Sequence, residues 1–158
     1  MKMIRLVGRA LNLPAQERRE AVRAAALLAY ANVALKFYPF SKAIALGSLT
    51  TSSLDEHDNG FVRRVVRAIK RASYAAPWRS VCIHEGIAAQ RMLRRQNIPA
   101  ILCYGTRQAD GKLQSHVWVK VGDEIVIGGE EAPHYRLVAT YPPGEESSTS
   151  RPFSSLST

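Results

Sequence analysis

Two residues in this chain have the type and spacing to do covalent chemistry: Cys82 and His116, 34 positions apart. A thiol becomes a nucleophile when a base takes its proton or when its surroundings favour the thiolate. An imidazole is the side chain best suited to exchange that proton near neutral pH. Together they are the two indispensable parts of a thiol acyl-transfer site. The thiolate attacks a carbonyl, the imidazole protonates the leaving amine, and main-chain N–H groups beside the cysteine bind the oxyanion. On spacing alone the signal is weak, because a single cysteine and a single histidine are more often a packed thiol and a half-buried ring.

The elements needed to bring them together are legible. In Ala75-Ala76-Pro77-Trp78-Arg79-Ser80-Val81-Cys82, Pro77 ends one helix and Ser80 is expected to cap the next. Cys82 then falls in a first turn, where free N–H groups and the helix dipole favour a thiolate. That helix runs through Ile83, Ile87, Met92 and Leu93 to Asn97, a left-handed stop ahead of Ile98-Pro99, with a basic, exposed end at Arg91, Arg94 and Arg95. Ala100 to Gly105 is a buried strand, Gln108 to Lys112 a hairpin loop around Asp110-Gly111, and Leu113 to Val121 an alternating strand. Val117, Val119 and Val121 share one face of it; His116, Trp118 and Lys120 share the other. A turn at Gly122-Asp123 leads to a strand Glu124 to Gly128, and Arg136 to Tyr141 is a further strand candidate.

Upstream lies helical scaffold. A helix from Pro14 to Phe37 has a charged first half and an Ala/Leu-rich second half that should be covered on most faces; Pro39 stops it. Ser41 to Leu49 is a second short helix candidate, and Thr50 to Gly60, which includes His57, reads as a surface loop. Phe61 to Tyr74 has an apolar face of Phe61, Val62, Val65, Val66 and Ile69, and a basic one of Arg63, Arg64, Arg67, Lys70 and Arg71. The basic stripe is either a docking surface or a solvated face. No aromatic interleaving and no nucleic-acid-binding motif accompanies it, so nucleic acid is not an expected partner.

Composition bounds the rest. A chain of 158 residues is expected to form one domain, residues 1–141, with 142–158 a Pro/Ser/Thr-rich flexible tail. The excess of 22 Lys and Arg over 13 Asp and Glu gives a net charge of +9, which favours acidic partners. Only Cys82 and Cys103 are cysteines, and no signal-peptide pattern is present, so reduced thiols and a cytoplasmic location are expected. The longest weakly charged run, Ala24 to Leu35, has 12 residues, short of the roughly 18 to 20 needed to span a bilayer. Two cysteines 21 residues apart and four scattered histidines lack the close ligand pairs of a zinc site. No metal or other cofactor is therefore expected. Cys103 reads as a small buried hydrophobe. His84, about 200 degrees round the helix from Cys82, should point away from the thiol, and His134 reads as a solvated loop residue.

The run PWRSVCIHEGIAAQRMLRRQNIPAILCYGTRQADGKLQSHVWVKVGDEIVIGG resembles the core of the leader peptidases of lasso peptide biosynthesis, a transglutaminase-like, papain-related group of cysteine proteases. The marks are Pro77-Trp78-Arg79 before Cys82, Leu93-Arg94-Arg95 before Ile98-Pro99-Ala100, and His116-Val117-Trp118-Val119. A Leu/Ala-rich opening helix that ends at Pro39-Phe40 extends the likeness to roughly Pro14 to Tyr141. The resemblance implies an α+β fold with N-terminal helices, a central Cys-bearing helix and a small antiparallel sheet. It implies a peptidase that removes the leader from a ribosomally made precursor so that a separate cyclase can close the lasso ring, with Cys82 as nucleophile and His116 as base. Members that lack a leader-gripping domain work with a separately encoded leader-recognition protein, and such a partner is implied here, with the cyclase a further candidate partner.

One departure stands out. Such peptidases commonly place Asp twelve residues after the histidine, and this chain has Gly128 there. Strand alternation makes Glu130 the expected replacement, with Glu131 favoured instead by a strict two-residue turn and an incomplete Cys-His dyad as the alternative. Asp123 reads as a turn residue. Trp78 either lines the substrate cleft or anchors the core, and Trp118 is expected to border the same cleft. Acyl transfer to an amine and a non-catalytic basic adaptor are the rival functions.

Overall fold

The structure, a computed structural model, describes residues 14–45, 58–78 and 81–144. Pro14 caps the first helix, α1, Ala15–Phe37, whose Ala-rich sequence is a strong helix former. The helix ends where Tyr38, ahead of Pro39, turns extended. Its buried stripe is Glu20, Ala24, Leu28, Ala31 and Ala34, one line along the helix. The other faces are not covered as expected: Tyr30, Val33 and Phe37 are exposed. A short α2, Phe40–Ala45, follows, and the remainder of the candidate second helix lies outside the described residues, as does His57.

Helix α3, Asn59–Ala75, begins earlier than its apolar pattern, so Asn59 and Gly60 are helical rather than part of a loop. Val62, Val65, Ala68 and Ile69 face inward. Its basic face is partly engaged within the molecule: Arg71 pairs with Glu17 of α1 at 3.2 Å, and Arg64 with Asp58 at 3.3 Å. Helix α4, Cys82–Arg94, is central and packs on α1, α3 and the sheet. Its stop is a Schellman arrangement, with Ile98 N–H donating to Leu93 O, Asn97 N–H to Arg94 O, and Asn97 at φ 57°, as the sequence led one to expect. Arg94 corrects the expectation of an exposed basic end. It is only 2% exposed and donates through Nη1 to Ala100 O at 3.0 Å, tying α4 to the first strand.

The strands are β1 (Ala100–Ala109), β2 (Lys112–Val121), β3 (Glu124–Ile127) and β4 (Arg136–Tyr141), in one antiparallel sheet ordered β3-β2-β1-β4. The expected five-residue loop between β1 and β2 contracts to a two-residue turn. Asp110 and Gly111 both take positive φ, which matches the strand twist and lets Ala109 pair with Lys112. Val117, Val119 and Val121 bury against α4 beside Ile87, Leu93 and Leu102 in the main core. Gly86 permits that approach, since a Cβ there would stand 2.7 Å from Val117 Cγ1. On the sheet's opposite face a smaller cluster gathers Ile101, Cys103, Trp118 and Ala132, with Tyr135 against it. No described helix is long and apolar enough to cross a membrane. Among the described residues, four helices and one small antiparallel sheet make this the expected α+β class.

Candidate active site

Cys82 is the first residue of α4, and the residue ahead of it, Val81, takes the extended backbone of an N-cap. Ser80 therefore does not occupy the N-cap position expected of it, and its own structure lies outside the described residues. Valine has no side-chain acceptor. The cap is supplied in the reverse sense, with Val81 N–H donating to Nδ1 of His84 at 3.2 Å. His84 is buried, and burial pushes its pKa below the usual histidine value. The amides of Cys82 and Ile83 are first-turn groups for which an α-helix provides no internal partner. The first turn is held to α3 through Glu85, which accepts from Lys70 Nζ at 2.8 Å and from Ser73 Oγ at 2.7 Å. Cys82 is half-buried, against the main core.

His116 sits in β2 opposite Gly105 of β1 and is half-buried. Its Nε2 lies 2.9 Å from the carbonyl oxygen of Gly128. A carbonyl can only accept, so Nε2 is the donor in this bond, and Nδ1 is the ring nitrogen it leaves open. The ring stacks on Trp118 with centroids 6.1 Å apart and tilts against Tyr135 at 5.1 Å. Gly128 reaches this position because φ of 76° is open to glycine, and because a Cβ there would stand 2.7 Å from Val117 O. Glu130, the expected third residue, and Glu131 are both exposed, and the ring's hydrogen bond goes to the Gly128 carbonyl instead. The parity expected from the two-residue turn at Gly122-Asp123 is altered by a bulge, since Lys120 pairs with Ile125 while Val119 pairs with Ile127.

The helix and the strand meet as follows. Gln90 and Arg94, on the later turns of α4, donate to Ala100 O, which lies opposite Val121 at one end of β2. Gly86 packs on Val117 four residues earlier along that strand. The helix start thus extends away from the Val121 end, towards the level of His116. Strand β3 pairs with Val119 to Val121, so beside His116 the flank of β2 has no partner strand among the described residues, and Gly128 approaches it there. Strand alternation gives His116 the face opposite Val117, which packs on α4, and among the described residues no hydrogen bond joins its ring to Cys82.

The remaining candidates separate cleanly. Trp118 is 7% exposed, and its ring lies over Gly105, where a Cβ would come within 2.7 Å of it, so it is chiefly a packing residue beside His116. Trp78 packs against the main core, and its buried Nε1 has no partner among the described residues. Cys103 is buried, and burial pushes its thiol up to about 11 against a smaller downward pull from Lys120. Asp123 is exposed in the β2–β3 turn, and His134 is exposed on a short 3-10 turn, Ala132–His134. The Gly128 carbonyl, Tyr135 and Arg107 were not singled out by sequence reasoning. The Gly128-Gly129 pair after a strand was the one available signal.

A cysteine opening a helix that packs on an antiparallel sheet, with a histidine on the second strand, supplies the two side-chain types that thiol-dependent acyl transfer uses. The family model described as the transglutaminase-like superfamily matches residues 24–140, and the chain belongs to that superfamily. No curated protein and no solved structure matches the chain.

Proposed function

We propose that this protein is a cysteine peptidase in which Cys82 is the nucleophile and His116 the general base. The observation that carries the reading is the bond from His116 Nε2 to Gly128 O, which orients the ring and leaves Nδ1 as the nitrogen open to act as base. In the first half-reaction Nδ1 takes the Sγ proton of Cys82 and the thiolate attacks the scissile carbonyl. The first-turn amides of α4 stabilise the oxyanion. The imidazolium then protonates the departing amine, leaving a thioester on Cys82. In the second half-reaction Nδ1 takes a proton from water, hydroxide attacks the thioester, and the acid is released with the thiol restored. The Gly128 carbonyl holds the tautomer, the role that Glu130 was expected to fill.

The sequence motifs narrow the substrate to the leader segment of a lasso peptide precursor, presented by a separate leader-recognition protein, in the cytoplasm. Incubation with precursor and that protein should release free leader, read by mass spectrometry, and Cys82→Ala should abolish release while retaining binding. Processing by Cys82→Ala at the wild-type rate refutes the peptidase and favours a basic adaptor. Superfamily membership supports a second reading, transfer of the acyl group to an amine, and an amine-linked product in the same spectra would establish it.

A further inference from the structure

On the sheet face that carries His116, Arg107 of β1 stands opposite Gln114 of β2, two cross-strand pairs beyond Gly105–His116 and so the next pair on that face. Its guanidinium is fixed twice. Its Cζ lies over the Tyr135 ring, 4.7 Å from the centroid, and Nε donates to Gln114 Oε1 at 2.9 Å. Tyr135 in turn tilts against the imidazole at 5.1 Å, so a single aromatic ring separates the cation from His116. The two terminal nitrogens of Arg107 have no hydrogen-bond partner among the described residues. A half-buried arginine held over an aromatic ring and through Nε, with its outer fork free, has already lost most of the rotamer freedom that binding would cost. The planar fork matches a carboxylate bidentately. Glu130 and Glu131, the acidic residues nearest in sequence to Tyr135, are exposed and make no described ion pair with it.

We infer that Arg107 is a specificity-determining residue that binds a carboxylate side chain of the peptide substrate, held within about three residues of the bond presented to His116. The inference rests on the peptidase reading for what the neighbouring imidazole does, but the carboxylate subsite itself can be tested without turnover.

The probes are fluorescein-labelled eight-residue peptides with a single Glu at each successive position, each paired with a Gln twin. Binding is followed by anisotropy on the full chain carrying Cys82→Ala, so that no cleavage is required. At one or two positions the Glu peptide should bind roughly ten- to a hundredfold more tightly than its twin, the range of a charge-assisted hydrogen bond. Arg107→Gln should bring that ratio to about one, and Arg107→Lys, which keeps charge but not the planar fork, should leave an intermediate ratio. A wild-type ratio near one at every position overturns the assignment. So does a ratio unchanged in Arg107→Gln, or, if thermal melting shows that variant unfolded, unchanged in Arg107→Lys. Failure of the wild type to cleave any of these peptides or a precursor would strike the peptidase reading alone, because the binding ratio reports on Arg107 in either case.

Discussion

His116 Nε2 and the carbonyl oxygen of Gly128 lie 2.9 Å apart, so the imidazole is oriented by main chain where an acidic side chain was expected. The arrangement depends on a backbone conformation at φ 76° and on the absence of a Cβ beside Val117 O. Gly128→Ala should therefore cost about 1 to 3 kcal/mol in urea unfolding, and Gly128→Asp at least as much, even though aspartate is the residue type that the resemblance would place there. Both should also lower any activity that depends on His116. Glu130→Gln, at an exposed position with no hydrogen bond to the ring, should leave activity within twofold of wild type; a large loss would restore the carboxylate to the site.

The two thiols should differ in reactivity. At pH 8 iodoacetamide should label Cys82 in the folded protein and spare Cys103, whose thiol burial pushes up to about 11, and peptide mapping by mass spectrometry will read the ratio. The same burial links Cys103 to stability. Its pKa is higher folded than unfolded, so its contribution is fully present below about 9 and is lost as the pH climbs from there through about 11. Cys103→Ala should flatten the alkaline fall in melting temperature across that window.

His84 has the opposite linkage. Burial holds its pKa below the ordinary value, so the neutral ring is favoured in the folded protein and its contribution is present above the ordinary value of 6.5. It is lost as the pH falls from there through the lower folded value. Protonation also removes the Nδ1 acceptor for Val81 N–H and so uncaps the helix start at Cys82. Thermal melts from pH 8 to pH 4 should show this fall, and His84→Gln, which can still accept the amide bond without titrating, should reduce it.

Arg94 joins the end of α4 to the start of β1 through a buried bond to Ala100 O. Arg94→Met preserves much of the aliphatic volume but removes the donor, and should cost about 2 to 3 kcal/mol by chemical denaturation. A loss under 0.5 kcal/mol would show that the Gln90 bond to the same carbonyl suffices.

The helices and strands were legible because their signals are local. Val62, Val65 and Ile69 at helical spacing, Val117, Val119 and Val121 at strand spacing, and the Asp110-Gly111 turn each act over a few residues. Arg94 was misjudged because its charge suggested solvent, whereas the acceptor that buries it comes from a strand not yet formed at the level of sequence. Glu130 was expected on the strength of side-chain chemistry and strand parity. Parity was broken by one bulge, and the acceptor proved to be a carbonyl, a group every residue owns and no residue type advertises. Arg107 and Tyr135 meet only across a loop, so no spacing pointed to their pairing.

The two-residue turns that join β1 to β2 and β2 to β3 have a kinetic consequence. Three of the four strands pair with their neighbours in sequence, and Arg94 and Gln90 dock on Ala100 only a few residues downstream. The stretch from Cys82 to Gly128 can therefore assemble with little loop-closure entropy, whereas β4 must return across β1 and α1 must close from far upstream. Folding should begin in the segment that carries both candidate reactive residues, with α1 joining it afterwards.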